Sequence, residues 1–348
     1  MPTVSIPISL AMKKLFRLFL LFLAPGLFVS CETDFKVIAD YKEVAIVYGL
    51  LNQNDSIHYL RINKAFLGDG NALTYAQVAD SSSFGNDIDV VLIETTVSGI
   101  ENEIQLSDTI LFAKDTGVFY SPAQSFYYVK AKFSENNTYK LKITNKTTGY
   151  EVSSQTNLIH NFNITKPLSG STSISFKRAS TSKNKFIWQN AINGRRYQFK
   201  VYFNYKELGI KGDTTYKKVL WIFPEQVGES IDGDYKLEAN YVNEDFFKVC
   251  ESKIPYTDQA AEDAVVKRFA SKINLEVAVV GDEFNTYLEA NGPSTGVLME
   301  KPVYSNITNG LGLFSSQFEI KRAPLDLGPE TILDLNAIEG LKFAKPSK

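Results

Sequence analysis

Few residues of this chain have side chains that bind transition metals or act as strong nucleophiles. The sequence contains two histidines, His58 and His160, and two cysteines, Cys31 and Cys250. A zinc site built from several histidines is therefore excluded, and Cys250 has no Cys or His nearby in sequence to complete a ligand set. We expect His58 to lie in a β-strand with its hydrogen-bonding groups satisfied. We expect Cys250 to be a buried thiol, because neither a helix start nor a basic motif marks it as a nucleophile.

Several groups of acidic residues could in principle hold calcium or perform acid–base catalysis. The candidates are Asp69-Gly70-Asn71 with Asp80 nearby, Asp232-Gly233-Asp234, Asp282-Glu283, and Glu101 with Glu103. The first has the alternating oxygen ligands of a calcium loop but lacks the later bidentate glutamate, so we interpret it and the second as turns. The other two could serve a glycosidase. Such pairs occur in most acidic proteins, however, and we expect no catalysis from them.

The rest of the sequence contains no linear catalytic motif in the structural context that its chemistry requires. It lacks a P-loop and a dinucleotide-binding fingerprint. Residues Gly292-Pro293-Ser294-Thr295-Gly296 match the letters G-x-S-x-G, but we expect no nucleophile elbow there, because they follow a predicted helix and not a strand. We therefore expect a protein that is not an enzyme and has no metal or cofactor. A hydrolase whose active site is assembled from scattered carboxylates is the less favoured alternative. Nucleic acid is not an expected partner either, because 37 basic residues are mixed with 39 acidic ones and form no concentrated cationic face.

The first 30 residues have the organisation of a secretory signal. Lys13, Lys14 and Arg17 give a positively charged start, and Leu18–Leu23 is an uninterrupted apolar run. This run is much shorter than the roughly 20 residues that a helix needs to cross a bilayer, so we expect a cleaved leader and not a permanent span. Because residues 1–10 carry no charge, translation from Met12 is an alternative to translation from the first methionine.

The apolar segment ends in Phe28-Val29-Ser30-Cys31, which resembles a bacterial lipobox with phenylalanine where leucine is usual. In lipoproteins the thiol at this place is acylated, and the cysteine becomes the new N-terminus. An anchor with more than one chain holds firmly, since each buried methylene contributes about 0.8 kcal/mol. The resemblance implies a lipoprotein signal peptide at 1–30, acylation of Cys31 with fatty acids such as palmitate, and a tether at 31–42. A simple cleaved signal with an incidental cysteine is the alternative.

The residues that follow the cysteine also carry information about location. Glu32-Thr33-Asp34 resembles the acidic signal that sends Bacteroidota lipoproteins to the outer face of the outer membrane. This implies a protein anchored in the outer membrane, at the cell surface rather than at the periplasmic face. With Cys31 acylated, Cys250 is the one remaining thiol, so the fold cannot depend on an intramolecular disulfide.

The remainder of the chain is predicted to be mostly β with a minor helical part. Aromatic residues make up 13% of the sequence, including 18 Tyr and 24 Phe, and this usage is typical of β-sheets. Strands are predicted at Glu43–Leu51, Ser56–Phe66, Asp87–Thr96, Glu103–Phe112, Phe126–Phe133, Tyr139–Thr144 and Tyr150–Leu158. Seven short strands at this spacing predict an immunoglobulin-like β-sandwich at 43–160. The usual Cys–Trp–Cys landmarks are absent.

A second β-rich domain with one or two short helices is predicted at 174–323. Pro167 and Gly170 punctuate the polar linker at 161–173 that precedes it. The predicted elements are strands at 185–189, 196–206, 217–223, 273–280 and 311–321, and helices at 256–272 and 283–290. The longer helix is predicted from the spacing of Ala261, Val265 and Phe269. The final segment, 324–348, is polar and is predicted to be a loosely packed tail.

Exposed aromatic rings would indicate glycan binding, because sugar faces stack on Tyr and Trp. Trp188 and Trp221 both lie in apolar strands, so we expect them in the core. Three short segments match an acceptor pattern for O-glycosylation in Bacteroidota envelopes, although three matches to so loose a pattern are little above chance. They are Asp55-Ser56-Ile57, Asp108-Thr109-Ile110 and Asp213-Thr214-Thr215.

Several longer motifs resemble a known family when they are taken together with the lipobox. They are Val47–Leu51, Ile62–Gly68, Lys114–Phe119, Asn285–Pro293 and Ser305–Phe314. The resemblance is to a Bacteroidota outer-membrane lipoprotein family whose domain has no assigned function and whose genes often lie beside those of TonB-dependent receptors. It implies a location and a candidate partner, and it implies no activity.

We therefore predict a lipid-anchored, non-enzymatic binding or accessory component of the outer membrane, working with a TonB-dependent receptor. A surface adhesin or structural envelope protein is the alternative. In the last motif, Gly310 and Gly312 are expected to permit positive φ or close backbone approach, and Leu311, Leu313 and Phe314 to be buried anchors. A partner-docking role for this loop stays open.

Overall fold

A computed structural model describes residues 44–65, 78, 82–112, 123–256, 265–292 and 304–345. Within these residues there are eighteen β-strands and three α-helices. The prediction of a mostly β protein with few short helices is confirmed. The strands form three sheets, and the described side chains form two hydrophobic cores.

The first eight strands form a sandwich of two sheets. They are β1 (Ala45–Leu51), β2 (Ile57–Lys64), β3 (Ile88–Thr95), β4 (Glu101–Gln105), β5 (Ser107–Leu111), β6 (Gln124–Lys130), β7 (Thr138–Asn145) and β8 (Glu151–Asn157). One sheet has the order β1-β2-β6-β5 and the other has the order β4-β3-β7-β8. If β1 to β8 are lettered A, B, C, C′, D, E, F and G, the two sheets have the orders ABED and C′CFG. This is the arrangement of immunoglobulin-like sandwiches, as predicted.

Alternation of apolar side chains explains why these segments form half-buried strands. In β7, Tyr139, Leu141 and Ile143 are buried, and the residues between them face outward. Their partners in the first core include Val47 of β1 and Leu60 of β2 in the opposite sheet. The segment predicted as one strand at 103–112 is instead two, β4 and β5, which lie in different sheets.

A second sandwich follows. Its strands are β9 (Ile164–Lys166), β10 (Ser173–Ile174), β11 (Lys183–Gln189), β12 (Arg196–Gly209), β13 (Thr214–Ile222), β14 (Gln226–Val227), β15 (Lys236–Val242), β16 (Val265–Val280), β17 (Gly310–Lys321) and β18 (Leu325–Leu327). The helices are α1 (Asn243–Lys253), α2 (Asp282–Asn291) and α3 (Pro329–Asn336), with a 3₁₀ turn at Glu339–Leu341. One sheet of this sandwich has the strand order β15-β11-β9. In the sheet that faces it, β12 pairs with β13 and β16, and β16 pairs with β17. The core between them is strongly aromatic, with Trp188, Tyr197 and Phe199 at its centre.

Strand β17 belongs to both sandwiches. Residues Gly310–Ser316 pair in parallel with β1, and residues Gln317–Lys321 pair antiparallel with β16. At about 3.3 Å per residue, this strand is long enough to run from one sandwich into the other. The N-terminal half of β17 therefore completes the first sheet, although the prediction placed it in the second domain. How the chain divides into independently folding domains stays a prediction.

Two further predicted segments differ from the structure. The helix predicted at 256–272 is wrong over Val265–Lys272, which is part of β16; residues 257–264 lie outside the described residues. A four-residue spacing such as Val265 to Phe269 fits one face of a strand as well as one face of a helix, and pairing with β12 decides the outcome. The segment predicted as a loose tail instead folds into β18, α3 and the 3₁₀ turn, and Leu335 and Leu341 are fully buried there.

Candidate functional site

Some of the residues with a predicted chemical role lie outside the part of the chain that the structure describes. Cys31, the predicted lipidation site, lies outside the described residues, as do Asp69-Gly70-Asn71 and Asp80. Lipidation and the calcium-like turn therefore stay predictions.

His58 lies in β2, as expected, but one of its two ring nitrogens is buried without a hydrogen-bond partner among the described residues, contrary to the prediction that it is satisfied. It is 2% exposed, and its ring stacks on that of Phe133 with 4.1 Å between centroids. Its Nε2 donates a hydrogen bond to the Ala131 carbonyl at 3.2 Å, and Nδ1 has no partner among the described residues. Burial is the main cause that lowers the pKa of His58 below its usual value of 6.5.

Cys250 is a buried thiol on α1, as predicted. Its side chain is fully enclosed in the second core, and burial raises the pKa of the thiol well above its ordinary range. The thiolate, which is the nucleophilic form, is therefore disfavoured. Trp188 is likewise fully buried in the core, as expected. Trp221 is only partly buried and packs against the edge of the core, with its ring centroid 4.5 Å from that of Phe223.

The acidic pairs do not come together in a shared site. Glu101 and Glu103 are exposed on the edge strand β4. Asp282 is exposed and forms an ion pair with Arg195 at 3.2 Å, whereas the neighbouring Glu283 is largely enclosed. The described residues include no group of three or more His, Cys, Asp or Glu that could hold a metal ion.

Glu283 is a predicted candidate whose carboxylate has a specific hydrogen-bond partner. Its Oε2 accepts a hydrogen bond from the Ser315 hydroxyl at 2.9 Å, and burial raises the pKa of Glu283 above its usual range. The Asp232-Gly233-Asp234 segment is a turn, as predicted, with Gly233 at a φ of +78°.

The outer surface of the first sandwich carries a group of aromatic side chains, which we name the tyrosine face. It consists of Tyr48 on β1, Tyr59 on β2, Phe126 and Tyr128 on β6, and Tyr287 on α2. Strand alternation places the first four there, because their neighbours in sequence point into the core. Tyr48 and Tyr59 are 42% and 44% exposed.

The rings of the tyrosine face support one another. Tyr59 has its centroid 6.1 Å from that of Tyr128 and 6.4 Å from that of Phe126. Tyr48 meets Tyr287 edge-on, with 6.2 Å between centroids. These separations lie in the range of about 4.5–7 Å in which aromatic pairs attract. The face is therefore partly ordered before anything binds to it.

Hydroxyl groups and a cation add polar functions to the tyrosine face. The hydroxyls of Tyr48 and Tyr287 lie 3.4 Å apart, and this hydrogen bond, followed by burial, raises the pKa of Tyr48 to about 12. Arg61 is the cross-strand partner of Tyr48 and donates from Nε to Asn63 Oδ1 at 2.8 Å. Apolar rings, neutral hydroxyls and a guanidinium are the groups that dominate binding energy at protein interfaces.

The sequence contained a weak signal for this surface. The sequence predicts a buried strand at Glu43–Leu51. In the structure, Ala45 and Val47 of β1 point into the core, and Tyr48 points outward and is exposed. Alternation shows which residues share a side of a strand. It does not show which side faces solvent, and so the tyrosine face could not be assembled from sequence.

The Ser305–Phe314 motif is mainly structural. Gly312 has a φ of +114°, and Leu313 and Phe314 are buried, as expected, whereas Leu311 is 42% exposed. Thr308 pairs with Ser153 of β8 in an isolated bridge. The motif thus joins β17 to both sheets of the first sandwich.

None of the helices in the described part of the chain is long and apolar enough to cross a membrane. No protein-family model matches this chain, and no curated protein matches its sequence significantly.

Proposed function

We propose that this protein is a lipid-anchored, non-enzymatic binding or accessory component of the outer membrane, and that it docks a partner protein through the tyrosine face. The observation that carries the proposal is the exposure of Tyr48 and Tyr59 on adjacent strands of one sheet. Contiguous apolar surface of this kind on a soluble domain is typical of an interaction site. The anchor rests on the lipobox at Cys31.

A protein is the favoured occupant of the tyrosine face because of the residue types that form it. Tyrosine and arginine are enriched at protein interfaces, and both occur here as cross-strand neighbours, Tyr48 and Arg61. The apolar surface continues to Leu311 on β17, which is 42% exposed and pairs with Ile46. A TonB-dependent receptor is the candidate partner that the family resemblance implies.

Capture from intact membranes tests this function. The protein is cross-linked in cells, purified, and its partners are identified by mass spectrometry. We expect the wild type to recover an outer-membrane receptor and the double variant Tyr48→Ser, Tyr59→Ser to lose it.

The control is Tyr216→Ser, because Tyr216 is 85% exposed on β13 and lies outside the tyrosine face. It should capture the receptor as the wild type does. Equal capture by the double variant, or capture of no membrane protein by the wild type, contradicts the proposal.

A surface adhesin or structural envelope protein is the second candidate. The observation that favours it is that two sandwiches share the continuous strand β17, which connects them as structural modules. A deletion strain separates the two functions, since loss of attachment with normal nutrient uptake supports the adhesin. A hydrolase stays the less favoured alternative; Glu283 beside Ser315 is the described group on which it would have to depend.

A further inference from the structure

Strand β5 forms one edge of the sheet that carries the tyrosine face. It pairs with β6, from Ser107 opposite Tyr128 to Leu111 opposite Gln124, and with no other described strand. In an antiparallel pair, every second residue turns its N–H and C=O towards the partner strand, so the alternate residues of β5 point these groups away from β6. An edge of this kind is a template on which another strand can pair.

Apolar side chains are exposed on β5. Ile110 is 55% exposed and Leu111 is 36% exposed. Edge strands are commonly protected from pairing by lysine, by proline or by several charges, and β5 contains neither lysine nor proline. Its one charged residue is Asp108. This edge therefore lacks most of the groups that usually prevent pairing with another chain.

The sequence of β5 is complementary to a second copy of itself. When Thr109 lies on a two-fold axis perpendicular to the sheet, it faces its own counterpart in the second copy. In the same register Asp108 faces Ile110, and Ser107 faces Leu111. Threonine pairs across neighbouring strands are stabilising, and no two like charges face each other directly. The two Ile110 side chains become diagonal neighbours about 7–8 Å apart, which is within reach of apolar contact.

Two other edge strands carry charges that oppose the same arrangement. Strand β4 is an edge of the other sheet of the first sandwich, and its central residue is Glu103. Strand β13 pairs with β12 alone among the described strands, and its central residue is Lys218. Antiparallel pairing of either strand with its own copy about this centre places like charges opposite one another, which is destabilising. The comparison favours β5 as the edge that a second copy can occupy.

We propose that two copies of this protein associate through antiparallel pairing of their β5 strands, with the two Thr109 residues at the two-fold axis. The two sheets then become continuous, with the order β1-β2-β6-β5 in one copy followed by β5-β6-β2-β1 in the other. Both tyrosine faces lie on the same side of this sheet. They stay exposed, because Tyr48 and Tyr59 lie on β1 and β2, away from the paired edge. The association therefore does not depend on the partner docking proposed above.

The expected association is weak and reversible. A pairing of five residues buries less surface than the interfaces of stable complexes, which bury about 1,200–2,000 Å² in total. Backbone hydrogen bonds hold the two strands together, and contacts of Ile110 and Leu111 with the second copy add to them. The dimer should therefore form at high protein concentration and dissociate on dilution.

Sedimentation equilibrium of the full-length protein in detergent tests this association. We expect the wild type to dimerise with a Kd of about 100 μM or tighter. Thr109→Lys and Thr109→Glu each place two like charges opposite one another at the axis, so each variant alone should weaken the dimer by about fivefold or more. An equimolar mixture of the two variants should restore the dimer, because opposite charges then face each other. Recovery on mixing also shows that both variants are folded.

Disulfide formation locates the two-fold axis. Directly opposed residues of an antiparallel pair have Cα atoms about 4.5–5.5 Å apart, a distance that a disulfide can span. Thr109→Cys should therefore give a covalent dimer on oxidation, whereas Thr215→Cys, at an exposed position of β13, should not. Thr215→Lys and the double variant Tyr48→Ser, Tyr59→Ser should dimerise as the wild type does. A monomeric wild type, a dimer unaffected by Thr109→Lys, or mixed variants that stay monomeric would each overturn the proposal.

Discussion

Asn306 binds both backbone groups of Phe314 through its side-chain amide. Its Oδ1 accepts the Phe314 N–H at 3.0 Å, and its Nδ2 donates to the Phe314 carbonyl at 2.6 Å. The amide thus takes the place of a neighbouring strand at this point of β17. Ser154 of β8 donates in turn to the Asn306 carbonyl at 2.8 Å. One asparagine therefore ties the shared strand to the first sandwich.

Replacing Asn306 with alanine should destabilise the protein. Both backbone groups of the buried Phe314 would lose their partner, and we expect the free energy of unfolding to fall by about 2–3 kcal/mol. Chemical denaturation followed by circular dichroism measures this change. Asn102→Ala, on the exposed edge strand β4, is the control and should change stability by less than about 0.5 kcal/mol. Equal effects of the two variants would contradict the role of Asn306.

Glycine is required at position 312. The residue has a φ of +114°, and an added Cβ would lie 1.9 Å from the Val47 carbonyl oxygen of β1. Positive φ and the clash together should destabilise Gly312→Ala by about 3 kcal/mol or more. The matched variant Gly170→Ala meets no described atom within 4 Å and should be nearly neutral. A thermal unfolding midpoint for Gly312→Ala equal to that of Gly170→Ala would show that β1 and β17 do not approach so closely.

Arg268 links the strands of the second sandwich to its C-terminal segment. It is fully buried, and its Nε lies 2.8 Å from Oε1 of Glu207, while its other nitrogens donate to the carbonyls of Leu341 and Pro255. Arg268→Ala leaves a buried carboxylate unpaired, so we expect a loss of about 3–5 kcal/mol in unfolding free energy.

The exposed pair Lys185–Glu238 provides the comparison for this ion pair. Lys185→Ala should reduce the free energy of unfolding far less than Arg268→Ala does, because water screens that exposed pair. The double variant Arg268→Met, Glu207→Leu should recover part of the loss of the single variant. If Arg268→Ala and Lys185→Ala lower the free energy of unfolding by the same amount, the buried pair does not stabilise the C-terminal segment.

His58 should make the protein sensitive to acid. Its folded pKa lies below the unfolded value of 6.5, so the folded state binds fewer protons. The stability that neutral His58 contributes is fully present above pH 6.5 and is lost as the pH falls through the folded pKa. Unfolding free energies measured in steps from pH 7 downward should therefore decline.

The variant His58→Phe isolates this effect. It keeps an aromatic ring against Phe133 and removes the titrating group, so its stability should depend less steeply on pH in the same window. An NMR titration of the wild type should also place the pKa of His58 below 6.5. A pKa above 6.5, or identical slopes for the two proteins, would contradict the burial of a neutral histidine.

Much of the fold follows from local sequence pattern. The spacing of short alternating segments predicted the first sandwich. Between β4 and β5 the chain crosses from one sheet to the other at the buried residue Leu106, and this crossing was not recognised from the sequence. The strand order of the second sandwich is related to that of the first. The sequence shows no recognisable repeat, because the two sets of strands share the alternation of apolar residues and not the identity of those residues. Pairing of β17 with β1 joins residues more than 260 positions apart, and no local pattern specifies such a partner.

The candidate sites were less predictable for the same reason. Cys250 and Trp188 were correctly predicted as buried, and His58 as a strand residue, because these placements follow from their immediate neighbours in sequence. The tyrosine face combines Tyr48, Tyr59 and Tyr287 from three separate elements.

Attachment through Cys31 is the claim on which the location, the partner and the accessibility of the tyrosine face depend. Radiolabelled palmitate fed to cells tests it directly, with Cys31→Ala as the matched variant. We predict that the wild-type protein incorporates the label and sediments with membranes, and that Cys31→Ala does neither. An unlabelled wild-type protein, or a Cys31→Ala variant that still sediments with membranes, would contradict the account.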